Sequence, residues 1–287
     1  MEVVGDMKNR KFGTHTQAVA GVIEALLMVA LVSVVISIIQ LIYIPQVMEQ
    51  KEAEHMDLVS NQFSTLKSMI DLQAITQSTA PISSMITLGS RELPYFITAR
   101  AYGELRTQED STSNINVDYS AFVCPLTSII YQSQNAYFVD QTYILEGGGI
   151  IVKQPTGEPV MRAYPSIQAQ ITNITNEFFI NINFSLPIIK GLPGKNSTNG
   201  DGKCFIRTNW SQGGTYKDIS GSLYSINIST QYPNAWDETL HDMLADNVNY
   251  SKGLSYIEIT RKDIHHRIYL TIDYYDVCTQ IGPGWIK

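Results

Sequence analysis

The chain has 287 residues and a formal charge of −7, with 20 Lys and Arg against 27 Asp and Glu. Only 16% of the residues are charged, below the roughly 25% of an average soluble domain. So few cations exclude an ordinary nucleic-acid binder, which needs a basic patch. Three cysteines (Cys124, Cys204, Cys278) are too few for a disulfide-built scaffold.

Residues 1–15 form a short segment carrying Lys8, Arg10 and Lys11. From Ala18 to Ile44 the chain reads AVAGVIEALLMVALVSVVISIIQLIYI, about 40 Å of helix at ~1.5 Å per residue. A bilayer core needs about 20 apolar residues, so residues 16–45 are read as a transmembrane helix. Its serines, Ser33 and Ser37, can bond back to their own turn at little cost. Tyr43 suits the membrane interface, and Pro45 favours a bend or boundary. A cleaved secretory signal has a shorter apolar core and a small-residue site after it, so the helix reads as a retained anchor. Cations precede it, while Glu49, Lys51, Glu52 and Glu54 follow. The positive-inside rule puts the N-terminus in the cytoplasm and the rest outside. Glu24 is the odd residue, because a carboxylate inside an apolar run is expensive. It either reaches the cytosolic edge or meets a positive partner, such as the amino end of a neighbouring subunit.

Residues 46–75 are rich in Glu, Gln, Lys, Met and Leu, with no Gly or Pro before Pro81, and predict a helical continuation. Met56, Val59, Phe63, Leu66 and Ile70 recur at helical spacing as one apolar stripe. Glu54, Asp57, Asn61, Gln62, Ser64 and Ser68 are assigned to the opposite face. The stripe must pack on its own head domain or on the same helix of other copies.

This order of a short basic segment, a long apolar helix, an amphipathic continuation and a β-rich head resembles the layout of type IV pilins, archaeal ones in particular. Lys11-Phe12-Gly13-Thr14 looks like a class III prepilin signal, cut after Gly13 by a prepilin peptidase. The run from Ala18 to Leu31 is similar to the start of archaeal pilins and archaellin-like proteins. Glu24 stands where a glycine is common there, and bacterial pilins place their Glu closer to the cut. The resemblance implies subunits that bundle through this helix, with Gly21, Ala25 and Ala30 permitting close approach. Glu24 lies about 15 Å along the helix from residue 14 at ~1.5 Å per residue. Only a neighbour shifted along the axis could therefore bring a Thr14 amine to it.

Residues 76–287 read as an extracellular head. Short β-branched and aromatic runs alternate with Gly, Pro, Asn and Ser clusters, the texture of an antiparallel β domain. Ala136–Leu145, the glycines Gly147, Gly148 and Gly149, and then Ile150–Lys153 predict a hairpin. Ile171–Ile189 predicts a half-buried strand, with Ile180, Ile182, Phe184 and Leu186 on one face. Leu223–Tyr232 predicts another. Ser255–Arg261 and His266–Tyr274 predict a pair turning at Lys262–His265. Pro193–Lys203 reads as a polar loop, and Asp237–Leu244 as a short helix with Asp237 near its start. The fold class expected is α+β: a long N-terminal helix followed by a mainly antiparallel β-sandwich-like head. Six N-x-Ser/Thr triplets, at Asn173, Asn183, Asn196, Asn209, Asn227 and Asn249, fall on the expected outside and are candidate glycosylation sites.

Catalytic patterns are missing. There is no G-x-S-x-G elbow, no phosphate-binding loop and no H-E-x-x-H. His265 and His266, beside Asp263, are neighbours on a strand and point to opposite faces, so they read as surface histidines rather than metal ligands. The cysteines lack C-x-x-C spacing; either two pair outside the cell and leave one over, or all three are buried thiols. Trp210, Trp236 and Trp285 read as core or corner residues. No catalytic residue, cofactor or metal site is assigned. The expectation is a structural cell-surface protein that self-associates through its helix. The alternative is a single-pass, membrane-anchored extracellular binding protein that does not polymerise. An anchored enzyme ranks third.

Overall fold

The computed structural model describes residues 16–89, 101–109, 112–118, 121–175, 177–221, 223–244 and 247–282. The chain divides into two compact units, Met1–Glu49 and Gln50–Lys287.

In the first unit, α1 (Thr16–Ile38) leads through a π turn (Ile39–Tyr43) into α2 (Ile44–Thr76). Ser33 Oγ donates to Val29 O and Ser37 Oγ to Ser33 O, both at 2.7 Å, the back-bonding to the preceding turn that helical hydroxyls can make. The helix does not end at Pro45. A proline lacks the N–H that would bond the preceding turn, and its ring crowds the carbonyl four residues back. The wide turn just before it absorbs this, with the Ile44 N–H reaching back to Ile39 O.

In the second unit the α2 stripe is buried: Met56, Val59, Phe63, Leu66 and Ile70 are each 2% exposed or less. They share a core with Ile86, Leu105, Tyr131, Leu145, Ile206 and Val277. The stripe therefore packs on its own head. Burying five such side chains stabilises by on the order of 10 kcal/mol before entropy is counted. Gln62 departs from the expected outer face. It is buried, donates through Nε2 to Thr87 Oγ1 at 2.9 Å, and accepts from the Thr87 N–H at 2.8 Å. The other polar locks are Gln73 and Glu52. Gln73 Nε2 donates to Thr208 O (2.8 Å), and its Oε1 accepts from Thr208 Oγ1 (3.0 Å). The Glu52 carboxylate accepts the N–H groups of Ala136, Tyr137 and Phe138 at 3.0, 2.7 and 2.6 Å.

Among the described residues the head holds three sheets. The first orders β1 (Ile82–Thr87), β12 (Lys203–Asp218), β16 (His266–Ile281), β10 (Glu177–Gly191) and β9 (Ser166–Ile174). The second orders β11 (Ser197–Gly200), β2 (Tyr102–Gln108), β5 (Ser128–Gln134), β6 (Thr142–Glu146), β7 (Gly149–Lys153) and β8 (Val160–Ala163). The third orders β14 (Val248–Lys252), β15 (Tyr256–Arg261), β13 (Ser225–Ser229), β3 (Asn114–Val117) and β4 (Phe122–Pro125). Pairing is antiparallel except between β10 and β16, which run parallel from Phe178↔His266 to Gly191↔Thr279. The helix α3 (Pro233–Leu244) sets Ala235, Trp236 and Leu240 into a second core with Ile226, Ile259 and Phe184. The β5 strand buries both faces, Ile129 and Tyr131 toward the α2 core and Ile130 toward the α3 core. That explains its unbroken apolar run.

Several boundaries differ from the sequence reading. Gly147 (φ +55°) and Gly148 (φ +81°) do turn a hairpin, but its first strand begins at Thr142, and Ala136–Asp140 is loop. The loop is held open by Glu52, which takes N–H groups that a strand would have used. Ile171–Ile189 is not one strand: a turn at Thr175 (φ +52°) separates β9 from β10. Lys262–His265 does turn, but it carries the chain from the third sheet to the first instead of closing a hairpin. The polar loop after Pro193 contains β11, paired with β2. Helix α3 starts at Pro233, so Asp237 sits in its second turn; proline is favoured at that first position.

Candidate functional surface

Residues 20–43 are exposed without interruption in the described structure, and this helix is long and apolar enough to cross a membrane. Leaving that much apolar surface in water would be unfavourable by roughly 25 cal/mol per Å², so the segment needs lipid or other helices around it. Gly21 and Ala25, four residues apart, share one face of α1, and Ser33 and Ser37 share another. Nothing lies within 4 Å of where a Gly21 Cβ would stand. Ala30 is likewise exposed. Glu24 lies in a shallow apolar groove with Ala20, Ile23, Leu27, Met28 and Leu31. Its carboxylate has no hydrogen-bond or ion-pair partner among the described residues. Gly13 and Thr14 lie outside the described residues.

The six triplets do not stand alike. Asn173, Asn183, Asn196 and Asn249 are exposed. Asn209 and Asn227 are half-buried in β12 and β13, and Asn227 Oδ1 accepts from the Ser229 hydroxyl at 3.2 Å. The hydroxyl of that triplet is thus already engaged with its own asparagine.

Of the two neighbouring histidines, His265 is exposed but His266 is buried, a correction to the surface reading. The His266 ring stacks on Phe178 at 4.6 Å, and its Nδ1 lies 2.6 Å from Asp263 Oδ1. This hydrogen bond holds the Asp263 carboxyl below its ordinary range. Among the described residues no group of three or more His, Cys, Asp or Glu side chains is placed to hold a metal ion. Cys124 and Cys204 are buried free thiols and Cys278 is a half-buried one. Burial pushes Cys124 up to about 12 and raises Cys204 as well, which leaves both protonated and unreactive at neutral pH. Trp236 is fully buried and Trp210 packs at the edge of the α2 core. Trp285 lies outside the described residues.

Sequence reasoning also missed the buried acid Glu146. Glu146, in the hairpin before Gly147, accepts from Thr230 Oγ1 at 2.7 Å and Trp236 Nε1 at 2.9 Å. Burial raises its pKa above the ordinary carboxylate value, only partly offset by those two hydrogen bonds. A β-carbon on Gly147 would meet the Trp236 ring at 2.9 Å, so the glycine serves both the turn and this packing. The site is closed and its partners are structural. Among the described residues, two clefts of the head that open to solvent have polar linings. One is lined by Thr79, Arg207, Asn209, Cys278 and Gln280, the other by Asn234, Asp237, Glu238, His241 and Lys252. In the second, Lys252 is paired with Asp237 at 2.8 Å. Neither cleft shows a nucleophile hydrogen-bonded to a base. Comparison of the chain with family models, curated proteins and solved structures finds no match.

Proposed function

We propose that this is a structural cell-surface protein: an archaeal pilin-like subunit anchored by its N-terminal helix, with the head outside, that assembles by helix bundling. The observation that carries the reading is the uninterrupted exposure of residues 20–43 in a helix that goes on into α2. Lys8, Arg10 and Lys11 before that stretch put the N-terminus inside. Processing after Gly13 by a prepilin peptidase leaves Thr14 as the new terminus. Its amine then becomes the positive partner for Glu24 of a neighbour. Gly21, Ala25 and Ala30 let helices approach closely, where van der Waals packing holds them because lipid supplies no hydrophobic drive between them. The exposed asparagines Asn183, Asn196 and Asn249, which lie outside the β9 edge, are the glycan acceptors in this reading.

The test is the N-terminal residue of protein isolated from its native membrane, by intact-mass and terminal-peptide mass spectrometry. Thr14 at the terminus is expected, and Met1 or Glu2 would overturn processing. Replacing Ala25 or Ala30 by Trp is expected to abolish filaments while the head stays folded. Filaments at normal yield would reject helix bundling. The rival is a membrane-anchored binding protein that does not polymerise, favoured by the open polar cleft at Arg207, Asn209 and Gln280. It predicts an uncut N-terminus.

A further inference from the structure

A sheet edge left bare is a template for another strand, so folded proteins shorten it, charge it, break it with proline or cover it. The six edges of the three sheets differ in this respect. The β11 and β8 strands have four residues each, and β8 carries Arg162. The β4 strand has four and ends at Pro125, and β14 has five and ends at Lys252. The β1 strand has six, and α2 covers it: Gln62 takes the Thr87 N–H. The β9 edge has nine residues, SIQAQITNI, with no charge, proline or glycine. It pairs with β10 without a bulge.

The register shows which groups of β9 face outward. The Phe178 N–H donates to His265 O, on the β16 side. Backbone groups of one residue point to the same side of a strand, and successive residues alternate. Even-numbered residues of β10 therefore face β16, and odd ones face β9. Their β9 partners are the even ones, as in Asn181↔Gln170 and Asn183↔Gln168. The backbone groups of Ile167, Ala169, Ile171 and Asn173 are left facing away from the sheet. Among the described residues, only the Ile167 N–H has a hydrogen bond on that side, to Pro165 O.

We propose that this edge is a self-pairing surface. Two copies of this chain join β9 to β9 antiparallel, about a two-fold axis at Gln170, and fuse their first sheets into one. The occupant follows from the strand itself. A two-fold contact sets each residue against its mirror in the strand, so any charge near the axis would meet its like; β9 has none, in a chain of net charge −7. With Gln170 opposite Gln170, Ala169 meets Ile171 in hydrogen-bonded pairs on both sides of the axis, and Ile167 meets Asn173. Gln168 faces Thr172 on the other surface, amide to hydroxyl. The outward backbone groups of Ala169 and Ile171 fall at the positions this register requires, while the Ile167 N–H stays with Pro165 O, and isologous contacts of this kind are the commonest in homo-oligomers. The inference does not rest on the pilin-like reading, since such a contact serves an anchored protein and a filament subunit equally.

The test uses the full chain in detergent micelles, made in a host that attaches no glycan at Asn173, on a Cys278→Ser background. Directly opposed residues of a non-hydrogen-bonded pair have Cα atoms about 4.5 Å apart, within the roughly 4.4–6.8 Å of a disulfide. Under mild oxidation Gln170→Cys is expected to give a covalent dimer, while Leu254→Cys, fully exposed in a loop, gives none. Gln170→Lys and Gln170→Glu are each expected to lower the dimer population a few-fold, because like charges meet directly. Their equimolar mixture restores it. Gln170→Cys cross-linking no better than Leu254→Cys overturns the proposal. So does a dimer that survives Gln170→Lys, which would place the contact on the apolar helix or elsewhere.

Discussion

Replacing Phe63 by Ala tests whether α2 belongs to the head. Phe63 is fully buried, with ring centroids 5.7 Å from Tyr143 and 6.4 Å from Tyr131. Truncation removes the ring's transfer energy and leaves a cavity beside the two tyrosines in the α2 core; such changes cost about 3–5 kcal/mol. That is a large part of the roughly 5–15 kcal/mol that holds a domain folded. For a head of this size it lowers Tm by about 10 °C. The assay is urea unfolding of the full chain in detergent, followed by the fluorescence of the buried Trp236. Leu72→Ala is the control, because Leu72 is 50% exposed on the other side of the same helix. Its effect is expected within about 0.5 kcal/mol. Equal, small effects at both positions would refute the packing of the stripe on the head and turn it toward other copies.

Three further outcomes follow from the polar locks. Glu52→Ala leaves the N–H groups of Ala136, Tyr137 and Phe138 without their acceptor. A loss of about 2–3 kcal/mol is expected, with faster amide exchange confined to residues 135–141; unchanged exchange there would refute the lock. His55 lies 3.2 Å from the Tyr131 hydroxyl, which itself donates to Leu88 O, so His55 Nε2 carries the proton and donates. Burial lowers the His55 pKa, so the folded head binds fewer protons than the unfolded chain. Its contribution is intact above the unfolded value of about 6.5 and is lost as pH falls below it. His55→Gln should flatten that part of the Tm–pH curve, and an unchanged slope between pH 7 and 5 would count against it. Glu146 has the opposite sign: its raised pKa favours folding at pH values below the unfolded carboxyl range, and that advantage is lost as pH rises through the folded pKa. Glu146→Gln keeps an acceptor for Thr230 and Trp236 without the charge, so its Tm relative to the parent should climb as pH rises from 4 to 7. A constant difference would show that Glu146 is not titrating in a closed site.

The apolar run at 18–44, the stripe of Met56, Val59, Phe63, Leu66 and Ile70, and the glycine hairpin at 147–149 are all legible in the residues. Each depends on neighbours within a turn or two: helical periodicity repeats every three or four positions, and a two-residue turn needs its own two φ angles. The alternation of Ile180, Ile182, Phe184 and Leu186 is legible for the same reason. The break before it is not, because the turn residue with positive φ is Thr175, a β-branched side chain that rarely takes that conformation. No sequence signal marks it. Gln62 and Glu52 show a second limit. Both look like solvent residues on a polar helix face, and both are buried because a distant strand or loop offers backbone groups that need partners. Glu146 is the same case in a hairpin. Local sequence therefore determined that an exposed apolar helix precedes an amphipathic one and a strand-rich head. Only the tertiary structure decided that β10 and β16 lie side by side in parallel, that Lys262–His265 crosses between sheets, and that β9 is an edge. Strand pairing joins backbone groups far apart in the chain, which are chemically alike in every residue, so the choice of partner is made by how whole sheets bury their faces against α2 and α3.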